Sequence, residues 1–223
     1  MRKLFVLFTA SLVTFSLLAQ ERWVEVRNEE RHHLVFENKY LRILDVFIGP
    51  RDTTKYHRHN TPSVFIQLST TKVVAQLLGG QPVASTNFFT QSATFDSLIK
   101  ERIHRVWNAD TNWMHVMDVE ITAKNPKEKI RNLNYRQLVP LFAEAMLNGY
   151  KLSLAANEKF SFPVGSAGYL LVSLGKNEIS IESNGNSENY FMKAGHYSWI
   201  GANEKKLIYN HSNSPAVFAV LQF

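Results

Sequence analysis

Three histidines stand at a spacing that suits a metal site. His57 and His59 flank a single residue at the end of an extended segment, and His104 follows later in the chain. Side chains at positions i and i+2 of a β-strand share one face, roughly 6–7 Å apart at Cα, so the first two imidazoles can point at one ion. A histidine on a neighbouring strand would complete the site. Because an isolated His-x-His is more often only a polar strand end, its surroundings must decide between these interpretations.

The segments around these histidines carry two recognisable motifs. A glycine, a turn and the His-x-His run from Gly49 to His59, and His104 stands four residues before Asn108. This arrangement resembles the two motifs of the cupin family, which implies an all-β jelly-roll barrel, or double-stranded β-helix, with its metal site inside. Ser63 departs from the family, which usually places a glutamate ligand four residues after the second histidine. Ile99–Glu101 replaces the usual Pro-x-Gly and affects only a turn.

Several short segments have the composition of β-strands. They are Leu41–Ile48, Ser63–Leu68, Lys72–Leu78 and Trp113–Ile121, and glycine-rich turns follow the first and third of them. Short strands separated by turn signals in this way predict a sandwich or a barrel rather than a doubly wound sheet.

An internal repeat extends this prediction to the second half of the chain. Asn108–Val116 is echoed by Asn210–Phe218, and Val64–Leu68 by Leu170–Leu174, at nearly the same offset. Nearly equal offsets in two separate segments indicate a duplicated unit. The predicted fold class is therefore all-β, with tandem cupin barrels joined by a short helical connector.

This repeat divides the chain into four predicted parts. They are a signal peptide at 1–19, an N-terminal barrel with the metal site at 20–122, a linker and short helix at 123–149, and a C-terminal barrel at 150–223. The helix is predicted at Leu141–Leu147, because Pro140 suits its first turn and Gly149 lies beyond its end.

The second barrel lacks the ligands of the first. In the register of the repeat, its ligand positions hold Pro163, Gly165, Tyr169 and Lys206. These residue types cannot assemble a transition-metal site, so the second barrel is expected to serve packing, pairing or a metal-free pocket.

The composition describes an ordinary globular protein with an export signal. The 223 residues are 45% apolar and 20% charged, and the net charge of +6 is too dispersed to indicate nucleic-acid binding. The segment 1–19 has a cationic start, an apolar stretch and a small residue at Ala19, as a signal peptide has. Periplasmic or secreted localisation is expected, without a stable membrane span after cleavage. The large Leu17 leaves an uncleaved anchor as the alternative.

A site built from His57, His59 and His104 favours one divalent transition metal. Imidazole suits iron, zinc, nickel, copper and manganese, and the complete absence of cysteine excludes thiolate ligands. Four residues are candidates to surround the metal ligands: Ser63, Gln67, Gln76 and His115. Strand parity places Ser63 and Gln67 on one face, whereas nothing in the sequence fixes the face of His115.

Two functions remain open from the sequence. The first is a mononuclear metal-dependent enzyme, such as an oxygenase or an isomerase, acting on a small organic acid, amino-acid derivative or sugar-like molecule. The second is a non-catalytic sensor or small-molecule binding protein with a structural metal, in which the degenerate barrel forms a homodimer. The three histidines favour the enzyme, and the missing carboxylate at Ser63 favours the binding protein.

Overall fold

The computed structural model describes residues 22–85, 92–123, 130–164, 168–183 and 185–223. The predicted signal peptide, residues 124–129 of the predicted connector, and Gly165 lie outside the described residues. Regular structure within these ranges consists of β-strands and one turn of 3-10 helix at Val26–Asn28. In the same ranges, no helix has the length and apolar composition needed to cross a membrane.

The described residues contain nineteen strands. They are β1 Val24–Glu25, β2 His32–Glu37, β3 Leu41–Ile48, β4 His57–His59, β5 Ser63–Gln67, β6 Val73–Leu77, β7 Pro82–Ser85, β8 Ser92–Asp96, β9 Arg102–Asn108, β10 Met114–Ile121, β11 Leu138–Ala143, β12 Asn148–Leu154, β13 Lys159–Ser161, β14 Gly168–Ser173, β15 Asn177–Ser183, β16 Asn186–Met192, β17 Tyr197–Gly201, β18 Lys206–Asn210 and β19 Ala216–Gln222. The four strands predicted from the sequence correspond to β3, β5, β6 and β10 and are confirmed.

The strands form four sheets, two in each half of the chain. In the first half, sheet A has the order β1-β4-β9-β6-β7 and sheet B the order β2-β3-β10-β5-β8. In the second half, sheet C has the order β11-β12-β19-β14-β17 and sheet D the order β13-β18-β15-β16. Pairing is antiparallel except between β1 and β4. Each half is a jelly-roll barrel of two sheets, as the predicted all-β fold class requires.

Sheet B separates the interior of the first barrel from the second barrel. On β10, Met114 and Val116 pack inside the first barrel, and Met117 and Val119 point the other way. The outward side chains join Leu221 of β19 and other residues of sheet C in one buried core. Because β10 is covered on both faces, it carries an almost continuous run of buried residues instead of alternating with polar ones.

The predicted connector helix at Leu141–Leu147 is wrong. Its first three residues belong to β11, which forms a hairpin with β12. Phe142 lies opposite Gly149 in this hairpin, and a Cβ on Gly149 would stand 2.3 Å from the Phe142 ring. The glycine therefore makes room for a ring across the hairpin and does not end a helix. Pro140 is tolerated because β11 is an edge strand.

Two buried asparagines show the repeat in three dimensions. The Asn108 side chain donates to the backbone oxygen of Ile48 at 3.0 Å and of Asn112 at 2.6 Å. The Asn210 side chain donates to Leu154 at 3.1 Å and to Ser214 at 2.8 Å. Each amide thus ties the turn after its own strand to a preceding strand, and both barrels retain this support.

Candidate metal centre

Strand pairing brings the three predicted histidines together. β4 runs antiparallel to β9, and His57 lies directly opposite His104. Since His59 is two residues from His57, all three side chains occupy the interior face of sheet A. His57 and His59 are 1% and 2% exposed. Their ligand atoms and that of His104 all lie within 4.8 Å of one another.

The spacing of the rings fits a single ion. Ring centroids are 4.6 Å apart for His57 and His104, and 5.0 Å apart for each of the two pairs that include His59. Two imidazoles that bind one ion through nitrogens at about 2.0–2.1 Å have centroids roughly 4.4–5.2 Å apart. The group can therefore hold a metal ion without a large rearrangement.

Burial keeps the three imidazoles neutral. It lowers the pKa of His57 to about 4 and that of His104 to about 2, and it lowers the pKa of His59 strongly. Repulsion between the neighbouring imidazoles acts in the same direction. Neutral imidazole is the form that binds metal, so the site is prepared for an ion at neutral pH.

The polar atoms of the site also fit a metal. The Nδ1 of His57 bonds the backbone oxygen of Lys55 at 2.9 Å, which leaves Nε2 free for an ion. The Nε2 of His104 is buried without a hydrogen-bond partner among the described residues. Buried polar atoms without partners are uncommon, and a ligand that satisfies them is one explanation.

A cavity of about 770 Å³ opens beside the histidines. This volume lies within the roughly 300–1,000 Å³ of small-molecule sites. Its walls come from both sheets of the first barrel. Apolar side chains such as Ile48, Phe65 and Met114 supply most of the wall surface, and polar side chains such as Gln67 and Thr94 lie among them. The site can therefore admit a small molecule next to the three imidazoles.

Comparison with known proteins identifies the fold. No protein-family model and no curated protein matches the chain. Among solved structures, YhhW from Escherichia coli is 14% identical with a TM-score of 0.58, and the match covers 86% of this chain and 88% of that one. A cupin 2 conserved barrel domain protein from Leptotrichia buccalis is 11% identical with a TM-score of 0.52, covering 85% and 86%. The chain has the cupin fold.

One similar structure is an enzyme of known reaction type. Salicylate 1,2-dioxygenase from Pseudoaminobacter salicylatoxidans, solved as adducts with gentisate, is 9% identical with a TM-score of 0.59. The match covers 82% of this chain and 68% of that enzyme. At such identities the likeness shows the shared cupin fold, and the chemistry has to be argued from this chain's own residues.

The four predicted neighbours of the metal ligands have different positions. Gln67 lines the cavity. Ser63 lies opposite Glu120 of β10 and is 2% exposed, but it is not part of the cavity wall. The prediction for Gln76 is wrong, because its amide oxygen accepts two bonds from Arg105, and its neighbours Ala75 and Leu77 line the cavity instead.

His115, whose face the sequence left open, lies away from the metal ligands. Its Nε2 lies 2.7 Å from a carboxylate oxygen of Asp45, and its ring stacks on Phe47 with centroids 4.1 Å apart. A Cβ on Gly195 of the second barrel would lie 2.7 Å from the His115 ring. This histidine therefore occupies the outer face of sheet B, where the two barrels meet, and has no access to the metal ligands.

A histidine that the sequence analysis left unassigned lines the cavity. The ring centroid of His32 on β2 lies 4.7 Å from that of His57, and its Nδ1 is 2.8 Å from Glu29. Burial alone would raise the pKa of Glu29, but bonds to His32 and to the backbone N–H groups of Arg31 and Lys55 lower it to about 2. His32 stands outside the cupin motifs, so motif spacing gave no signal for it.

The sequence analysis also did not identify two charged residues of the cavity wall. Asp118 and Arg102 line the cavity, and Arg102 lies directly opposite His59 in the β4–β9 pair. Arg102 forms an ion pair with Asp96 at 2.5 Å. A signal for Asp118 exists in the sequence, because a carboxylate inside the apolar strand Met114–Ile121 is unusual.

The corresponding positions of the second barrel hold no metal ligands. The Tyr169 hydroxyl donates to the backbone oxygen of Pro163 at 3.0 Å. The Lys206 ammonium donates to the backbone oxygen of Trp199 at 3.1 Å and lies 3.2 Å from Glu204. Both side chains are thus held by neighbouring protein groups.

Proposed function

We propose that this protein is a mononuclear metal-dependent enzyme that acts on a small organic acid in the N-terminal barrel. The observation that carries the proposal is the cluster of three neutral imidazoles, His57, His59 and His104, beside a cavity of about 770 Å³. A transition metal bound there would supply Lewis-acid or redox chemistry. Three protein ligands leave coordination positions open for a substrate.

The charge of Arg102 favours an organic acid over a sugar-like molecule. Arg102 pairs opposite His59 between β4 and β9, and its positive charge contributes to the lowered pKa values of His59 and His104. An arginine beside apolar walls suits a carboxylate with an apolar body, because the guanidinium can hold the carboxylate with two parallel hydrogen bonds. A sugar-like molecule could bond the polar side chains of the wall, such as Gln67 and Thr94, but it would leave the charge of Arg102 without a matching anion.

Ion pairing with Asp96 keeps Arg102 in place before a substrate arrives. Both side chains are about 30% exposed, so an incoming carboxylate can compete with Asp96 for the guanidinium. His32, held by Glu29, adds a polar group to the wall next to His57. Phe65 supplies an apolar surface beside Arg102 and His59.

The test combines metal analysis with a ligand screen. Protein purified without an affinity tag is analysed for metals, and carboxylates and neutral sugars are then compared by calorimetry and turnover assays. We expect about one transition metal per chain, preferential binding of carboxylates, and a loss of at least about tenfold in carboxylate affinity for Arg102→Gln. Arg105→Gln is the matched control, since this neighbour on β9 bonds Gln76 on the other face. Equal binding of sugars and carboxylates would refute the substrate class.

A non-catalytic binding protein is the second candidate. It is favoured by Ser63, which leaves the three-histidine group without the glutamate that cupins usually place there. Ser63→Glu separates the two functions. In an enzyme, the added ligand should tighten metal binding and depress turnover, because it fills a position that the substrate needs. In a binding protein with a structural metal, it should raise thermal stability and leave ligand binding intact.

Export is proposed on the residues of segment 1–19 alone. Its Arg2-Lys3 start and its apolar stretch favour secretion. Cell fractionation with mass determination of the mature protein tests this part. An intact N-terminus in the cytoplasmic fraction would contradict it.

A further inference from the structure

Asp118 is an exception among the buried acidic side chains of the described residues. These are Glu29, Asp118 and Glu120, each about 1% exposed. Glu29 is bonded by Arg31 and lies 2.8 Å from the His32 ring, and Glu120 accepts from Arg42 at 2.7 Å. By hydrogen-bond geometry neither oxygen of Asp118 has a partner among the described residues, and burial raises its pKa to about 7, although the neighbouring Ser63 hydroxyl lowers that pKa. A buried carboxylate without a partner costs several kcal/mol at order of magnitude, which calls for a compensating role.

The nearest basic group to Asp118 is a histidine of the metal centre. Its Oδ2 lies 3.6 Å from the Nδ1 of His59, which also lacks a partner. This separation is too long for a hydrogen bond. Two unpaired buried atoms of complementary type thus face each other across a gap that a small movement of either side chain would close.

His57 shows the corresponding arrangement in a completed form. Its Nδ1 lies 2.9 Å from the backbone oxygen of Lys55, so Nε2 is the atom that it can offer to a metal. Histidines that bind metals usually donate their other ring N–H to a carboxylate, a carbonyl or water, which sets the tautomer and the ring orientation. For His59, the described residues place Asp118 in the position of this acceptor.

Strand register explains why the carboxyl group comes from β10. Ser63 lies opposite Glu120, and Phe65 lies opposite Asp118, so Ser63 and Asp118 are diagonal neighbours on the interior face of sheet B. Asp118 does not belong to the group whose ligand atoms lie within 4.8 Å of one another. Its place beside His59, and not among the ligand atoms, suits an indirect role.

We propose that Asp118 is a positioning residue for the metal centre: it accepts the Nδ1–H of His59 and so directs the Nε2 of His59 to the metal. This inference rests on the proposed metal binding. The cupin glutamate would bind the ion directly, but this chain has the uncharged Ser63 at that position. Asp118 instead contributes its carboxyl group indirectly, through His59. The uncompensated burial of Asp118 is then the energetic cost of preparing the site.

The first test measures metal affinity in three variants. Zn²⁺ is titrated in competition with a chromophoric chelator for Asp118→Ala, Asp118→Asn and the control Glu120→Gln, which removes an acid from the same face of the same strand. Loss of a carboxylate partner of a metal-binding histidine typically weakens binding by about 10–100-fold, and we expect this for Asp118→Ala. Asp118→Asn keeps an acceptor oxygen and should recover most of the affinity. Glu120→Gln should stay within about threefold of the unaltered protein.

Stability separates positioning from a structural role. Because burial of Asp118 is not offset by a hydrogen bond of good geometry, the metal-free Asp118→Ala protein should melt at the same temperature or higher, although it binds Zn²⁺ more weakly. An unchanged Zn²⁺ affinity in Asp118→Ala would overturn the inference. Asp118→Asn binding as weakly as Asp118→Ala, or a general loss of stability in both, would overturn it as well.

A second readout needs no metal. Nitrogen-15 spectra of the imidazoles in the metal-free protein report the tautomer of His59 directly. We expect the Nδ1–H tautomer in the unaltered protein and a shift towards the Nε2–H tautomer in Asp118→Ala. If the unaltered protein binds no Zn²⁺, the proposed function fails while the tautomer still tests the contact. If it binds Zn²⁺ but His59 is an Nε2–H tautomer, only the role of Asp118 fails.

Discussion

The N-terminal barrel keeps a cavity of about 770 Å³ beside three imidazoles, whereas the C-terminal barrel fills its interior with aromatic rings. Phe162 packs edge-to-face on Phe160 with centroids 5.0 Å apart and lies at the same distance from Tyr169. Phe218, fully buried, belongs to the same core. The two barrels therefore use one fold in opposite ways, one for a site and the other for packing.

The shared features show what the fold needs regardless of function. Asn108 and Asn210 support equivalent turns in both barrels, yet His104 and Lys206, four residues earlier, differ completely in chemistry. The backbone supports are retained because, without these amides, backbone oxygen atoms would be buried without a partner in either barrel. Interior side chains can diverge, since one barrel needs a reactive interior and the other needs only a filled one.

The largest expected effect is the loss of metal from the N-terminal barrel. His57→Ala/His59→Ala removes two of the three imidazoles, so we expect metal content to fall from about one ion per chain to nearly none. Elemental analysis of tag-free protein provides the measurement. Anomalous scattering from an ion inside the C-terminal barrel, or metal retained by the double variant, would break the comparison between a metal-competent and a degenerate barrel.

The next prediction compares a packed ring with a ring on the cavity wall. Phe218→Ala should lower the free energy of unfolding by about 3–5 kcal/mol, because it leaves a void in a filled core. Phe65→Ala should cost only about 1–2 kcal/mol, since half-buried Phe65 already borders open space. Urea unfolding of both variants gives the two values. Equal losses would mean that the N-terminal interior is packed as tightly as the other.

The third prediction concerns acid stability of the N-terminal barrel. The pKa of Glu29 is lowered to about 2 in the folded protein, so its stabilising contribution is present above its ordinary pKa and is lost as the pH falls towards 2. Metal-free Glu29→Gln should be less stable than the unaltered protein by on the order of 3 kcal/mol at pH of about 6. Urea unfolding at decreasing pH should show this gap narrowing below pH of about 4.5. A gap independent of pH would contradict the assignment.

The smallest expected effect tests the contact between the barrels. Gly195→Ala places a Cβ 2.7 Å from the His115 ring at a φ of +86°, and should cost about 1–3 kcal/mol. Gly185→Ala is the matched control, because its φ is +82° and no atom lies within 4 Å of the added Cβ. The difference between their melting temperatures isolates the steric contact. Identical shifts would show that the junction is loose at this point.

The sequence by itself determined the cupin fold and the residues most able to bind a metal. His57 and His59 are separated by one residue, so strand periodicity alone puts their side chains on one face. The spacing of His104 from Asn108 matches the second cupin motif and identified the third ligand. The repeat likewise predicted that the second half has no metal ligands at Tyr169 and Lys206. All of these inferences depend on residues close together in the chain or at a fixed offset.

Only the tertiary structure decided which other side chains join the site. Asp118 and His32 come from strands without a motif, and their approach to His59 and His57 depends on how sheets A and B face each other. The sequence predicted the wrong face for Gln76 and a helix instead of a strand at Leu141–Ala143, for a related reason. Strand parity and local turn signals do not specify which partner covers a face, and that choice is made by long-range packing.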